Sequence, residues 1–453
     1  MGSLFTALRN TGSSMRVFER AIGVVQGNVT NASTPGYAKQ RQLLTAMRFD
    51  LDNGLPGGVA SGGTIDSRSA FADRLVRQRL DGYGAASERT TQLTRLEILF
   101  DISDNSGLNA ALGRFFQAAS SLTITPNDIS ARNVLLDRAR ELARSFNGLA
   151  DGLASAKYES GKALEQQLDR VETIASEVVS INRQFREDFT AQNDPGLQSR
   201  LNNLLEELSE IVDITVLRAE DGSATIYLGG QSLLVIGDRQ YDYSAQTGGA
   251  TAQILDSEGN DISPMITSGR IAALLGLRNT TIPDFQAKLD RLAESVATEV
   301  NGVLAAGVDL DGNAPAQDLF SFDSAFGSAR TLRVNNLAAS ELALADAAAP
   351  RGNGGALRLA DLAKSQPVDG YSFSQYYGGL AAEVGRALSM SQEDLHTQEN
   401  LLAQSRQFRD EIQGVDLNEE ALTLLQYQRS YEAAAKLIQT LDEMTQTVIQ
   451  MVR

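Results

Sequence analysis

At 453 residues the chain is long enough for roughly two to four domains, and a formal net charge of −17 with a pI near 4.7 argues against a nucleic-acid partner, because only a short basic stretch at the N-terminus would offset phosphate repulsion. The absence of cysteine and the single histidine, His396, remove disulfide frameworks, thiolate nucleophiles and multi-histidine metal sites. No run of 18 apolar residues occurs, so no membrane partner is expected, and Arg9, Arg16, Glu19 and Arg20 break up the N-terminal apolar runs that a signal peptide would need.

The first element is a coiled-coil former. Met1, Leu8, Met15, Ile22 and Val29 fall on one heptad position, and Leu4, Thr11, Phe18 and Val25 on the other. Gly12, Gly23 and Gly27 weaken it by about 1 kcal/mol each relative to alanine, so the helix needs a partner. A polar run from Asn28 through Asn31 ends it, and Thr34-Pro35-Gly36-Tyr37 predicts a type II turn, proline setting φ at its second position and glycine supplying a positive φ at its third. Residues 1–60 are read as this helix with its turn and hairpin.

Residues 61–212 are helical by pattern. Leu164, Val171, Val178 and Phe185 repeat in sevens, as do Leu168, Ala175, Asn182 and Phe189, with Asn182 suited to setting a coiled-coil register. Alternating apolar runs and turn signals such as Asp221-Gly222 predict an inserted β domain over 213–268. One helix returns to the bundle over 269–306. Asp309-Leu310-Asp311-Gly312-Asn313 begins like a calcium loop, but Ala314 and Phe320 stand where glycine and a bidentate glutamate are required, so a polar turn is expected. Residues 307–357, rich in glycine, alanine and proline, read as a linker or very small subdomain with a strand at 331–334. Residues 358–414 are helical again, with His396 facing solvent.

The last stretch, 415–453, is a second coiled-coil helix. Gly414 ends the preceding helix, Asp416 caps the new one and Glu419 is placed for a capping box. Leu417, Leu424, Tyr431, Ile438, Thr445 and Val452 share one heptad position and Tyr427, Ala434, Leu441 and Val448 the other, with Leu437, Met444 and Met451 widening the stripe. Six bases against one acid in residues 1–49, and three against six in 415–453, favour contact between the two ends. The predicted fold is therefore mainly α with an inserted small β domain, its terminal helices packed together and a long helical bundle forming the middle layer. The assembly interface falls on Leu4, Leu8, Met15, Phe18, Ile22, Val25 and Val29 at one end. At the other it falls on Leu417, Leu424, Tyr427, Tyr431, Ile438, Leu441 and Val448.

Catalytic patterns are missing. No nucleophile elbow accompanies His396, no phosphate-binding loop occurs, and the carboxylate pairs Glu206-Glu207 and Glu419-Glu420 lie on predicted helix surfaces, so no enzyme and no cofactor is expected.

The N-terminal heptads running into Asn28-Val29-Thr30-Asn31, then Pro35, Gly36, Tyr37 and Gln40, resemble the motif shared by rod, hook and hook-associated proteins of the bacterial flagellum. The run from Val415 through Glu420 and Leu424 to Lys436 resembles the partner motif at the other end of the same proteins. The helical stretch after the turn favours the hook-associated class at the hook-filament junction, the alternatives being another axial protein of hook or rod, or a secreted coiled-coil adaptor. The resemblance implies a structural subunit outside the cell, exported without a cleaved signal peptide. The implied partners are copies of itself in a ring, the hook protein, and an adjacent junction protein or flagellin. A cytoplasmic export chaperone on 415–453, anchored by Leu424, Tyr431, Ile438 and Leu441, is implied as well.

Overall fold

Long uninterrupted helices, broken where glycine, proline or short polar clusters fall, carry most of the chain. The computed structural model describes residues 2–48, 57–100 and 106–451; Met1 and Val452, the outermost heptad positions, lie outside the described residues. The order begins α1 (Gly2–Asn31), β1 (Gln40–Ala46), β2 (Val59–Asp66), α2 (Ala70–Glu97), α3 (Gly107–Leu122), α4 (Ile129–Glu187) and α5 (Pro195–Ile211). Strands follow: β3 (Ile214–Arg218), β4 (Ala224–Leu228), β5 (Ser232–Ile236), β6 (Arg239–Gln240), β7 (Ser244–Gln246) and β8 (Gln253–Leu255). The chain then forms α6 (Gly269–Gly276), α7 (Ile282–Ala305), β9 (Phe320–Ser321), α8 (Ser328–Thr331), β10 (Arg333–Val334), α9 (Gly354–Asp361), α10 (Phe373–Gln413) and α11 (Leu417–Met451). Among the described residues no helix is long and apolar enough to cross a membrane.

Contacts divide the chain into two compact units, one of residues 1–82, 171–241 and 399–453, the other of 83–170 and 242–398. In the first, α1 and α11 lie side by side, β1 and β2 form an antiparallel hairpin, and β3-β4-β5-β6 form a four-stranded antiparallel sheet. Gly222, at φ 81°, turns β3 into β4 as the Asp-Gly pair predicts.

Asn182 has a different task from the one its heptad position suggests. Its Nδ2 donates to the carbonyls of Ala224 (2.8 Å) and Gly237 (2.9 Å) while its Oδ1 accepts from the Ala224 N–H at 2.8 Å, so it clamps the sheet instead of keying two helices. Phe189, the last member of that repeat, lies beyond the end of α4 and is 78% exposed.

The second unit is built on an aromatic and aliphatic core from α3, the first half of α4, α7, α9 and the start of α10, in which Phe116 stacks on Phe373 with ring centroids 5.7 Å apart. Residues 307–357 are part of this core and not a linker: Leu319, Phe320, Leu332, Leu342 and Leu344 are fully buried. Polar side chains hold their irregular backbone. The Asn147 amide donates to the carbonyls of Ala329, Arg330 and Leu332, and the buried Arg132 donates to those of Pro126, Ala339 and Leu342. The polar turn at Asp309 is closed by its own carboxylate, which accepts from the N–H of Asp311 and Asn313, with Gly312 at φ 85°.

Two further expectations need correction. The β domain over 213–268 divides, β3 to β6 belonging to the first unit and β7 with β8 to the second, because an alternating pattern specifies that a segment is extended but not which strand it pairs with. The single helix over 269–306 is interrupted by a π-helical turn, Leu277–Thr281, just before Pro283, which has no N–H to give to the preceding turn.

Candidate assembly site

The C-terminal helix needs a cap and a face. Asp416 supplies the cap, its Oδ1 accepting from the N–H of Asn418 at 2.8 Å. Gly414 ends α10 where no side chain fits, since a Cβ there would stand 2.3 Å from the Asp410 carbonyl. The face is the heptad stripe: Leu424, Tyr427, Tyr431, Ile438, Leu441 and Val448 are half-buried and Ala434 is buried, whereas Leu417 is 54% exposed. Leu437, Met444 and Met451 are exposed, Leu437 at the edge of the seam, where it lines a cavity with Ser14 and Phe18 of α1.

On α1 the buried line is Ser14, Val17, Ala21, Val25 and Asn28. Of the seven positions expected there only Val25 is buried; Leu4, Leu8, Met15, Phe18 and Ile22 are half-buried and Val29 is exposed. The second heptad position is thus Ala7, Ser14, Ala21 and Asn28, one residue before the line of large side chains. Small residues let two helices approach closely, so a reading by apolar size selects the flank. The helices run antiparallel, the Asn28 end of α1 meeting Glu420 while Thr11 and Ser14 line one cavity with Ser430 and Ala434.

Asn28 is the hub of the site and all four of its hydrogen-bonding positions are used. Its Nδ2 donates to the Gln40 carbonyl (2.8 Å) and to Glu420 Oε2 (3.0 Å); its Oδ1 accepts from the Tyr37 hydroxyl and the Gln40 N–H, both at 2.9 Å. Glu420, 1% exposed, also takes the Lys39 ammonium at 3.0 Å, and Lys39 reaches Glu419 at 2.9 Å. The Glu419 carboxylate pairs with Lys39, while the Glu419 N–H meets Asp416 Oδ1 at 3.4 Å, the N-cap half of the expected capping box. Burial works against the Lys39 ammonium, but its hydrogen bonds to Glu419 and Glu420 outweigh that and its pKa is raised; burial, then Glu420, raises that of Tyr37.

The motif turn is held from the other side by α5. The Tyr37 N–H bonds the Thr34 carbonyl at 3.1 Å and Gly36 has φ 74°, the geometry of a type II turn. A Cβ on Gly36 would stand 2.2 Å from Asn203 Oδ1, and Asn203 Nδ2 donates to the Pro35 carbonyl. Asn31 donates to the Gly27 carbonyl and accepts from Thr34, closing the end of α1. Arg68 donates to the Gly36 carbonyl at 2.8 Å, and the Lys39 N–H to that of Gln413 at 2.9 Å. Gln413 in turn donates to Asp73.

The structure thus brings together Asn28, Asn31, Pro35, Gly36 and Tyr37 with Lys39, Glu420, Gln413 and Asn203, which the sequence reading did not assign to the site. One signal for Glu420 exists: it occupies an inward heptad position, seven residues before Tyr427, where an apolar side chain is expected. Ser14 was also missed. Its hydroxyl accepts from the Val59 N–H at 2.9 Å and ties the hairpin to α1. Among the described residues no cluster of three or more acidic or histidine side chains is placed to hold a metal ion.

Two families match this sequence: the helical domain of the flagellar hook-associated protein FlgK, over residues 93–320, and the C-terminal region of the flagellar basal body rod proteins FlgEFG, over 406–451. Flagellar hook-associated protein 1 of Bacillus subtilis strain 168 is 25% identical over 99% of this chain and 98% of its own length. The protein of the same name from Salmonella typhimurium strain LT2 is 23% identical over 69% of this chain and 58% of its own length. The flagellar hook junction protein FlgK of Burkholderia pseudomallei has a similar fold, with a TM-score of 0.66 at 14% identity over 75% of this chain and 99% of that one.

Proposed function

The chain belongs to the FlgK family of flagellar hook-associated proteins, and from that premise we propose that it is a structural subunit of the hook-filament junction of a bacterial flagellum, assembled through α1 and α11. The observation that carries the mode of assembly is the two-sided character of those helices. One face of each is joined to the other by the seam and the Asn28 cluster. Away from it, Phe5 and Val29 on α1, and Leu422, Met444 and Met451 on α11, are exposed. Apolar stripes of this kind on a chain of charge −17 mark contact surfaces, and neighbouring copies in a ring would cover them. Leu8, Met15 and Ile22, half-buried on the flank of the seam, extend the same surface.

Its neighbours on this reading are copies of itself, the hook protein, and an adjacent junction protein or flagellin. Its role is structural and no catalytic step is assigned to it. On this reading the chain works outside the cell, in the flagellum. Before export, a small helical chaperone binds α11 with Leu424, Tyr431, Ile438 and Leu441 as anchors; these are the half-buried seam side chains, so chaperone binding competes with the pairing of α11 to α1.

The test uses a strain that lacks this protein and makes hooks without filaments. The wild-type chain should restore filaments. The double variant Leu422→Glu, Met444→Glu should be secreted in normal amounts yet leave hooks bare, because it puts charges into the lateral contact while sparing the seam. Full filaments on that background would remove the outer face of α11 from the assembly.

A further inference from the structure

A second, unrelated site lies in the unit formed by 83–170 and 242–398. A cleft of about 400 Å³ is lined by Lys157, Tyr158, Lys162, Glu165, Arg278 and the segment 247–249. Three cations against one acid is unusual in a chain with 57 acidic and 40 basic residues; the acid, Glu165, accepts from the Thr247 hydroxyl through Oε1 and its charge acts on Arg278, which leaves the cleft with an excess of positive charge. Arg278 is 5% exposed. Its Nη2 donates to the carbonyls of Thr247 and Gly249, while Nε and Nη1 are shielded from solvent and meet no acceptor among the described residues. A buried guanidinium with open donors calls for an anion.

The surrounding backbone is shaped for that side chain. Arg278 sits in the π-helical turn Leu277–Thr281, a deviation that helices use to aim side chains at sites. The next residue, Asn279, grips the rim of the cleft, accepting from the Ala252 N–H at 2.6 Å and donating to the Ala252 carbonyl at 2.8 Å. Across the cleft α4 carries Gly161 in its interior, where a Cβ would stand 2.9 Å from Arg278 Nε. Gly248 and Gly249 leave the rim with no side chains to unpack when it shifts.

The geometry points to an oxyanion site for a multivalent anion the size of phosphate or sulfate, held by Arg278, Lys157 and Lys162. Binding draws the rim at 247–249 off the guanidinium and gives its open N–H groups to the anion. Lys157 reports on occupancy: burial, then the neighbouring Arg278 charge, lowers its pKa, and a bound anion cancels the second effect.

Titration calorimetry of the full chain should show saturable binding of inorganic phosphate and of sulfate, but not of acetate or chloride at matched ionic strength. The double variant Lys157→Gln, Lys162→Gln alters half-buried and exposed side chains, keeps the fold, and should weaken binding at least about tenfold, whereas Lys364→Gln should leave it unchanged. Phosphate should also slow acylation of Lys157 by an amine reagent. Absence of saturable binding below about 20 mM phosphate and sulfate, where only non-specific association remains, would overturn the assignment. Wild-type affinity in the double variant would overturn it too, and equal affinity for acetate would replace the multivalent anion by a carboxylate.

Discussion

At the scale of the residue, the cost of removing a member of the Asn28 cluster depends on what it strands. Lys39→Met would leave Glu420 buried without a countercharge, held only by the Asn28 amide, at about 3–5 kcal/mol to the α1–α11 seam, while the pair with the 65% exposed Glu419 contributes little. Lys39→Met with Glu420→Met should recover much of that loss, so urea unfolding followed on the terminal helices should be strongly non-additive; additive losses would show the pair to be incidental. Asp81 offers a separate test. Burial raises its pKa to about 6, with Asp213 adding to the effect and the Gly82 N–H and Arg79 opposing it. Its folded value lies above the unfolded one, so the native state holds the extra proton, and stability should fall as pH rises from about 4 to about 6. Asp81→Asn should flatten thermal stability across that window and raise it at neutral pH; an unchanged profile would assign the pH dependence elsewhere. What the sequence made legible here was identity without role. Asn28 stands out as part of a motif, but its partners Gln40 and Glu420 lie 12 and 392 residues away, and no local pattern connects them.

At the scale of the element, α11 was legible almost to the residue because its face is made of large apolar side chains at regular spacing, with Asp416 and Gly414 marking its start. The face of α1 was displaced by one residue because its buried positions Ser14, Ala21 and Asn28 carry small or polar side chains, which give little apolar signal. The strands were legible as strands, while their division between two sheets rests on long-range pairing that alternation does not encode. Asn182 separates the two kinds of reading. As a coiled-coil register key it would be replaced by leucine with a gain in stability; as a clamp on β4 it would not. Asn182→Leu should cost about 2–4 kcal/mol, since it strands the Ala224 N–H and two carbonyls, and should speed amide exchange in β4. A stabilised variant would restore the coiled-coil reading.

At the scale of the whole molecule, charge and apolar surface act against each other. Every copy carries −17, so bringing like subunits together costs electrostatic work that ions relieve, the screening length falling from about 10 Å at 0.1 M salt to about 3 Å at 1 M. The contacts expected to reward assembly are the outer stripes of α1 and α11, whose apolar burial is not weakened by added salt. The pair that keys the seam is nearly dry, Lys39 being 14% and Glu420 2% exposed, and is screened far less than a surface pair. Raising sodium chloride should therefore strengthen self-association of the purified chain while leaving the α1–α11 pairing intact. Sedimentation velocity from about 0.02 to about 0.5 M salt should show the weight-average mass rising, with no loss of helical circular dichroism. The variant Leu422→Glu, Met444→Glu should stay monomeric throughout, because screening removes repulsion but cannot replace the apolar contact. Association that weakened with salt would mean that copies are joined by exposed ion pairs instead, and the basic N-terminal stretch facing the acidic α11 of a neighbour would then be the contact to dissect.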